Sequence, residues 1–365
     1  MKSLSAITLL LLLFSSYGFS STLSDVRKAD LIKCGVSTGI PGFSNPDKKG
    51  RWFGLDVDIC RAVAAAVLGS ADRVRYVPLT PADRFNALRS GEVDILSRIT
   101  TWTYSRDTTM GIIFAGVSFY DGQGFMVRRD SGITDSKGLN GAAICVQQGT
   151  TTEQNLADYF REHDQRYQPV IFASSDQVIN AFKAGRCSAV TSDLSQLYAQ
   201  RTKFKKPKEA VVLPVVISKE PLGPAVRQDD MQWYNIVKWT LFALVNAEEL
   251  GVTSDNVDKM MKSNKPVIQR LLGINSNTGS AMGLPADWGY QIISQVGNYK
   301  EVFDRNVGQD SELQIERGMN ALQAIDSSLL PKNFNEPMGA PAIFEKQIEI
   351  KLLHSASALE SQIQV

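Results

Sequence analysis

The sequence predicts an α/β protein of two lobes, each a parallel-dominated sheet flanked by helices, with a helical C-terminal extension. Three observations carry this reading. From Leu31 to about Ser218, short β-rich runs alternate with helical patterns, as in parallel sheets covered by helices. Two Gly- or Pro-bearing patches, Tyr120–Gly124 and Lys219–Gly223, break the alternation, and each adjoins a strand-like run, as paired crossovers between two lobes would. After Arg227 the chain turns helical.

In chain order, Met1 and Lys2 precede an apolar run, Leu9–Phe14, and small residues at Gly18 and Ser20 frame a cleavage site, so residues 1–20 read as a signal peptide. The run is too short to span a bilayer, and an exported, soluble protein is expected. What remains, roughly 345 residues, is too long for one ordinary core. Strands are expected at Leu31–Val36, Val74–Leu79, Val93–Leu96, Ala142–Gln147, Val170–Ala173 and Ala189–Thr191. Helices are expected at Leu55–Leu68, Ala82–Arg89, Glu153–Phe160, Gln177–Ala184 and Leu194–Gln200. The crossovers make the second lobe, residues 122–221, an insertion into the first, residues 21–121 and 222–322. Beyond Arg227, residues Trp233, Ile236, Val237, Leu241, Leu244 and Val245 share one helical face. From Ser254 onward further helices are expected, interrupted by Pro266 and the stretch Gly273–Gly283. Parallel sheets bind ligands beyond the carboxyl ends of their strands, which places a site between the lobes.

Composition excludes several function classes. Lys plus Arg number 39 against 38 Asp plus Glu, so no global field attracts nucleic acid. The basic cluster Lys203–Lys208 reads as a solvated loop. Four cysteines in an exported chain favour disulfides, and none forms a C-x-x-C pair suited to zinc. Two histidines, and no G-x-S-x-G, P-loop, G-x-G-x-x-G or H-E-x-x-H motif, argue against a triad enzyme or metalloenzyme, and no cofactor is expected.

Gly54-Leu55-Asp56-Val57-Asp58-Ile59, followed by Val63-Ala64, reads as a helix start with acids in the positive first turn and apolar residues facing the core. The same segment resembles the signature of the polar amino-acid family of bacterial periplasmic binding proteins. The resemblance continues through Ser90–Asp94, Thr101–Arg106, Phe119-Tyr120, Gly149–Thr151 and Gly185-Arg186 to Asp193. It is closest to the general L-amino-acid branch, which shares Gly297-Asn298-Tyr299 and Arg317–Leu322, whereas Gln323–Val365 is unrelated to that branch. The resemblance implies a type II periplasmic binding protein fold, a free L-amino acid as ligand, ABC permease membrane subunits as partners, a monomer, and residence in the periplasm. Two rivals stay open: an exported cyclohexadienyl-type dehydratase on the same architecture, and a sensor that presents bound ligand to a receptor.

The resemblance also implies the site. Arg106 would bind the ligand α-carboxylate with its planar fork, and Thr101 would offer hydroxyl and backbone N–H to the same group, within the ligand-facing segment that includes Ile99. Thr151 would join them from Gly149–Glu153, where Thr150 and Glu153 have capping-box spacing and a helix N-terminus leaves free N–H groups. Asp193 would accept from the ammonium; a helix cap is its plainer role. Arg84, in Pro81–Phe85, and Arg98 would favour acidic and amide side chains, solvated helix residues being the alternative. Phe43, in the loop Gly39–Ser44, would add a cation–π contact or simply pack the loop. Disulfides Cys34–Cys60 and Cys145–Cys187 are expected, each within one lobe; Cys145 lies six residues before Thr151 and Cys187 six before Asp193, so two adjacent parallel strands ending at one cleft would place that second pair side by side.

Overall fold

The computed structural model describes residues 21–274 and 277–322; the expected signal peptide, residues 1–20, and the atypical tail, residues 323–365, lie outside them. Two five-stranded sheets organise the chain. The first runs in the order Val74–Pro78, Ile32–Val36, Ile95–Leu96, Ala225–Arg227, Ile112–Phe114. Its first three strands are parallel, and Ala225–Arg227 is antiparallel to both neighbours. The second runs Gln168–Phe172, Ala143–Gln147, Ala189–Asp193, Gln123–Arg128, Ala210–Val212, again with three parallel strands and an antiparallel fourth. With the fourth strand set aside, the remaining four follow one another in the same order, second, first, third, fourth, in both sheets. In each, the fourth strand enters directly from a crossover.

The crossovers pair with each other as a two-stranded ribbon, Phe119–Asp121 against Glu220–Leu222, in the register Glu220 to Asp121 and Leu222 to Phe119. Edge strands Ile112–Phe114 and Ala210–Val212 are only three residues long, too short for a period to show in the sequence.

Helix Leu55–Leu68 explains why the signature segment has its composition. Gly54 precedes it at φ 132°, and a Cβ there would lie 2.1 Å from the Phe43 carbonyl oxygen, so no other residue fits. The helix is buried on nearly every side except at Arg61 and Leu68, as an all-round apolar helix must be. The strands cover one side and the helices Met231–Glu249 and Trp288–Val296 the other, so the C-terminal extension completes the core of the first lobe. Pro266 does not interrupt a helix; it occupies the first position of Pro266–Leu272, where its missing N–H would be unpaired anyway. Gly297 ends one helix at φ 88°, and Asn298 begins the next in a reciprocal cap with Glu301.

The extension also grips the crossover ribbon. Asn320 donates to the Tyr120 carbonyl (3.0 Å) and accepts from the Tyr120 N–H (2.7 Å), while the Tyr299 hydroxyl donates to the Ser118 carbonyl (2.7 Å). Arg317 pairs with Glu248 at 2.9 Å and lies over the rings of Tyr299 and Phe303.

Disulfides Cys34–Cys60 and Cys145–Cys187 are present, one in each lobe, and all four cysteines are buried. With sequence separations of 26 and 42 residues, each restricts the unfolded chain by about 3–4 kcal/mol in the loop-entropy account. Cys34→Ala/Cys60→Ala and Cys145→Ala/Cys187→Ala are each expected to lower stability by about 2–4 kcal/mol, read from urea unfolding with the midpoint and slope fitted together.

Candidate functional site

The first lobe delivers its ligand-facing residues on the chain that leaves strand Ile95–Leu96. Asp56, in the first turn of helix Leu55–Leu68, accepts from the Ser97 hydroxyl (3.1 Å) and the Ile99 N–H (3.0 Å). Its carboxylate therefore tethers a distant segment and does not cap its own helix. Asp58 does the same elsewhere, accepting from Arg305 and Asn306. Ile99 is held at φ 48°, a left-handed conformation costly for a β-branched residue, which the Asp56 tether helps to enforce. Burial pushes Asp56 up to about 7, against the Ser97 hydrogen bond and the Arg98 charge.

Arg98, Ile99 and Thr101 then face one cavity, joined by Arg106 from the short helix Tyr104–Thr109, whose cap is Thr103. Arg106 donates from Nη1 to the Thr101 carbonyl at 2.9 Å. Arg84 enters from the neighbouring helix Arg84–Arg89, and the guanidiniums of Arg84 and Arg106 lie 4.7 and 5.5 Å from the centre of the Phe85 ring. Arg84 is 2% exposed, its Nε and Nη2 have no acceptor, and neither has Arg98 Nε. Burial, followed by the charges of Arg98 and Arg106, pulls Arg84 well below the usual arginine range, and burial brings Arg98 to about 10. Three guanidiniums share one wall, and two of them, Arg84 and Arg98, have buried donors unmet.

The second lobe supplies the opposite wall: Gln147, Thr150, Thr151, Thr152, Ser175, Thr191, Ser192, Asp193 and Gln196. Thr150 and Glu153 do not form the expected reciprocal cap: the Thr150 hydroxyl donates to the Gln147 carbonyl and Glu153 accepts from the Gly149 N–H. The side chains thus turn away, and the helix start at Thr151 keeps donors free for an anion. Asp193 precedes helix Leu194–Thr202 but makes no side-chain cap bond; its carboxylate accepts from Gln196 Nε2 (2.8 Å). Burial raises Asp193 well above the carboxylate range, and the acids Glu220 and Asp121 add to the rise.

Of the residues singled out from the sequence, Arg84, Arg98, Ile99, Thr101, Arg106, Thr151 and Asp193 all line this cavity. Phe43 does not. It is 1% exposed and packs edge-on to Phe119 at 5.3 Å, because the loop Gly39–Ser44 lays the Phe43 backbone against Gly54, turns the ring into the core and leaves Ile40 at the cavity. The basic cluster is not wholly solvated either: Lys203 reaches across to the Gly39 carbonyl at 3.1 Å.

Sequence reasoning missed Glu220, a 1% exposed acid in the crossover ribbon. It accepts from Thr101 Oγ1 (2.6 Å), Thr151 Oγ1 (3.1 Å), Asn155 Nδ2 (2.7 Å) and Ser218 Oγ (2.5 Å), touching both lobes from behind the cavity. The one available signal was an acid beside Pro inside a segment already read as a crossover.

A family model for bacterial extracellular solute-binding proteins, family 3, matches residues 32–256. The chain belongs to that family. This family 3 solute-binding protein is 53% identical over 310 residues to the general L-amino acid-binding periplasmic protein AapJ of Rhizobium johnstonii, covering 84% of this chain and 91% of that one. It is 47% identical over 303 residues to the glutamate/glutamine/aspartate/asparagine-binding protein BztA of Rhodobacter capsulatus, covering 83% and 90%. Among solved structures, the ABC transporter/periplasmic binding protein from Brucella ovis with glutathione bound superposes with a TM-score of 0.81 at 51% identity, covering 83% of this chain and 95% of that one. The two-lobed periplasmic binding protein fold of this solute-binding protein is thereby the one its relatives share. No helix among the described residues is long and apolar enough to cross a membrane.

Proposed function

We propose that this protein captures a free L-amino acid between lobes comprising residues 21–121 with 222–322 and residues 122–221, and delivers it, as a periplasmic monomer, to the membrane subunits of an ABC importer. The observation that carries the reading is that Arg106 and Asp193 face one cavity from opposite lobes. A buried carboxylate requires charge and donors, which the Arg106 fork and the helix start at Thr151 supply. A buried ammonium requires acceptors, which Asp193 supplies. A ligand held from both sides favours the closed form by differential binding.

The unmet donors of Arg84 and Arg98 then select the side chain: glutamate, glutamine, aspartate and asparagine offer acceptors, and lysine brings a fourth cation. Calorimetric competition should rank glutamate above leucine and lysine in wild type, with the glutamate advantage shrinking about tenfold in Arg84→Ala. A wild-type preference for lysine, or an unchanged Arg84→Ala profile, counts against the assignment. We read the chain as a binder and not an enzyme; formation of product from prephenate or arogenate would reverse that.

A second ligand class is favoured by the Brucella ovis relative. Glutathione ends in a γ-glutamyl group whose free α-carboxylate and ammonium match an amino acid, so glutathione belongs in the same competition panel.

A further inference from the structure

Glu220 does not line the cavity, yet two residues that do, Thr101 and Thr151, direct their hydroxyls at one of its oxygens, Oε2. Its other oxygen, Oε1, receives Asn155 Nδ2 and Ser218 Oγ. Four donors on two oxygens suit a carboxylate, which accepts and has nothing to give. Asn155 cannot turn its amide round without loss, because its other N–H is used by Gln123 Oε1 at 3.0 Å. Gln123 is fixed in turn by donating to the Thr152 carbonyl and to Thr191 Oγ1. The amide donor facing Glu220 is therefore set by the fold.

Each threonine hydroxyl has one hydrogen. That of Thr101 goes to Glu220 at 2.6 Å, a length typical of a charge-assisted bond. That of Thr151 goes to Glu220 at 3.1 Å or to Thr101 Oγ1 at 3.2 Å. Either way, both hydrogens are consumed behind the wall, and the cavity is left with lone pairs. We propose that Glu220 is a positioning residue that turns Thr101 and Thr151 into obligate acceptors, so that this end of the cavity demands a ligand ammonium and rejects an anion or an uncharged group. The inference rests on the amino-acid reading above and revises one expectation within it: the threonine hydroxyls serve the ammonium, and the α-carboxylate is left to Arg106 and to backbone N–H groups. It also gives the crossover ribbon a role in recognition, since the same carboxylate joins Thr101 of one lobe to Thr151 of the other.

The test compares L-glutamate with glutarate, the same dicarboxylate without its ammonium, by competition calorimetry in wild type and Glu220→Gln. The near-isosteric amide has one oxygen, which Asn155 and Ser218 hold, so its NH₂ faces the threonines and their hydrogens turn into the cavity. The expected result is that L-glutamate affinity falls about tenfold or more while glutarate changes much less, collapsing the discrimination ratio. Equal losses for both ligands would make Glu220 a structural hinge residue only and overturn the inference. Thr151→Val, which leaves Glu220 three of its donors, reads the same ratio independently should Glu220→Gln fold poorly; an unchanged ratio there overturns the inference as well. A folded wild type that binds no amino acid of the panel would instead overturn the amino-acid reading, and this inference with it.

Discussion

Arg106→Ala is expected to weaken amino-acid binding by on the order of 10²–10³-fold. Arg106 is 7% exposed, and its side chain is committed to the Thr101 carbonyl through Nη1, leaving the rest of the fork for the ligand. Removing one partner of a buried charge pair costs about 3–5 kcal/mol, because the other is stranded without water. Arg84 and Arg98 share the wall but enter it from other points of the chain, Arg84 from helix Arg84–Arg89 and Arg98 from the segment after strand Ile95–Leu96. Titration calorimetry of a variant with wild-type circular dichroism and a wild-type urea midpoint is the measurement; unchanged affinity would place the α-carboxylate elsewhere.

Asp193→Asn is expected to lower affinity by tenfold or more while leaving the empty protein as stable as before, or more so. The two effects have one cause. Burial, and then the neighbouring acids Glu220 and Asp121, hold Asp193 well above the ordinary carboxylate range, with Arg106 acting in the other direction. In the empty protein the folded state therefore binds this proton more tightly than the unfolded state, and the group's contribution to stability declines as pH rises from the ordinary carboxylate pKa through the raised one. A ligand ammonium reverses the balance by favouring the ionised form, so binding releases a proton and affinity improves with pH across that window, by up to about tenfold per unit. The ligand-induced rise in Tm should be larger at pH 8 than at pH 5 in wild type and nearly equal at the two in Asp193→Asn. A pH-independent wild type would show that Asp193 does not meet the ammonium.

The cavity positions of Arg106, Thr151 and Asp193 were legible through motifs shared with the resembled family, and two of them, Thr151 and Asp193, stand at strand-to-helix junctions, which parallel sheets bring to one edge. The parallel strands and the long helices were legible because their periods are long enough to read. Glu220 was not, because what matters about it is the partner found 119 residues earlier, at Thr101, which an isolated antiparallel bridge from Thr101 to Leu222 brings near. Asp56 shows a different limit. An acid in a first turn looks the same whether it caps its helix or reaches across to Ser97 and Ile99, and composition cannot tell the two apart. Phe43 failed for a third reason: Gly and Pro mark a turn but not which way an aromatic ring within it will point.

Both disulfides join cysteines that are neighbours in chain order, Cys34 with Cys60 and Cys145 with Cys187. Four cysteines allow three connectivities. This is the one that stepwise oxidation produces in a chain threading N-terminus first through a narrow pore: when Cys60 emerges only Cys34 is waiting, and by the time Cys145 emerges, the first pair is closed. The insertion of one lobe into the other leaves that order intact, because both early cysteines precede the first crossover. For a chain exported in that way, the native isomer would be the first one made, with no scrambled bonds to undo.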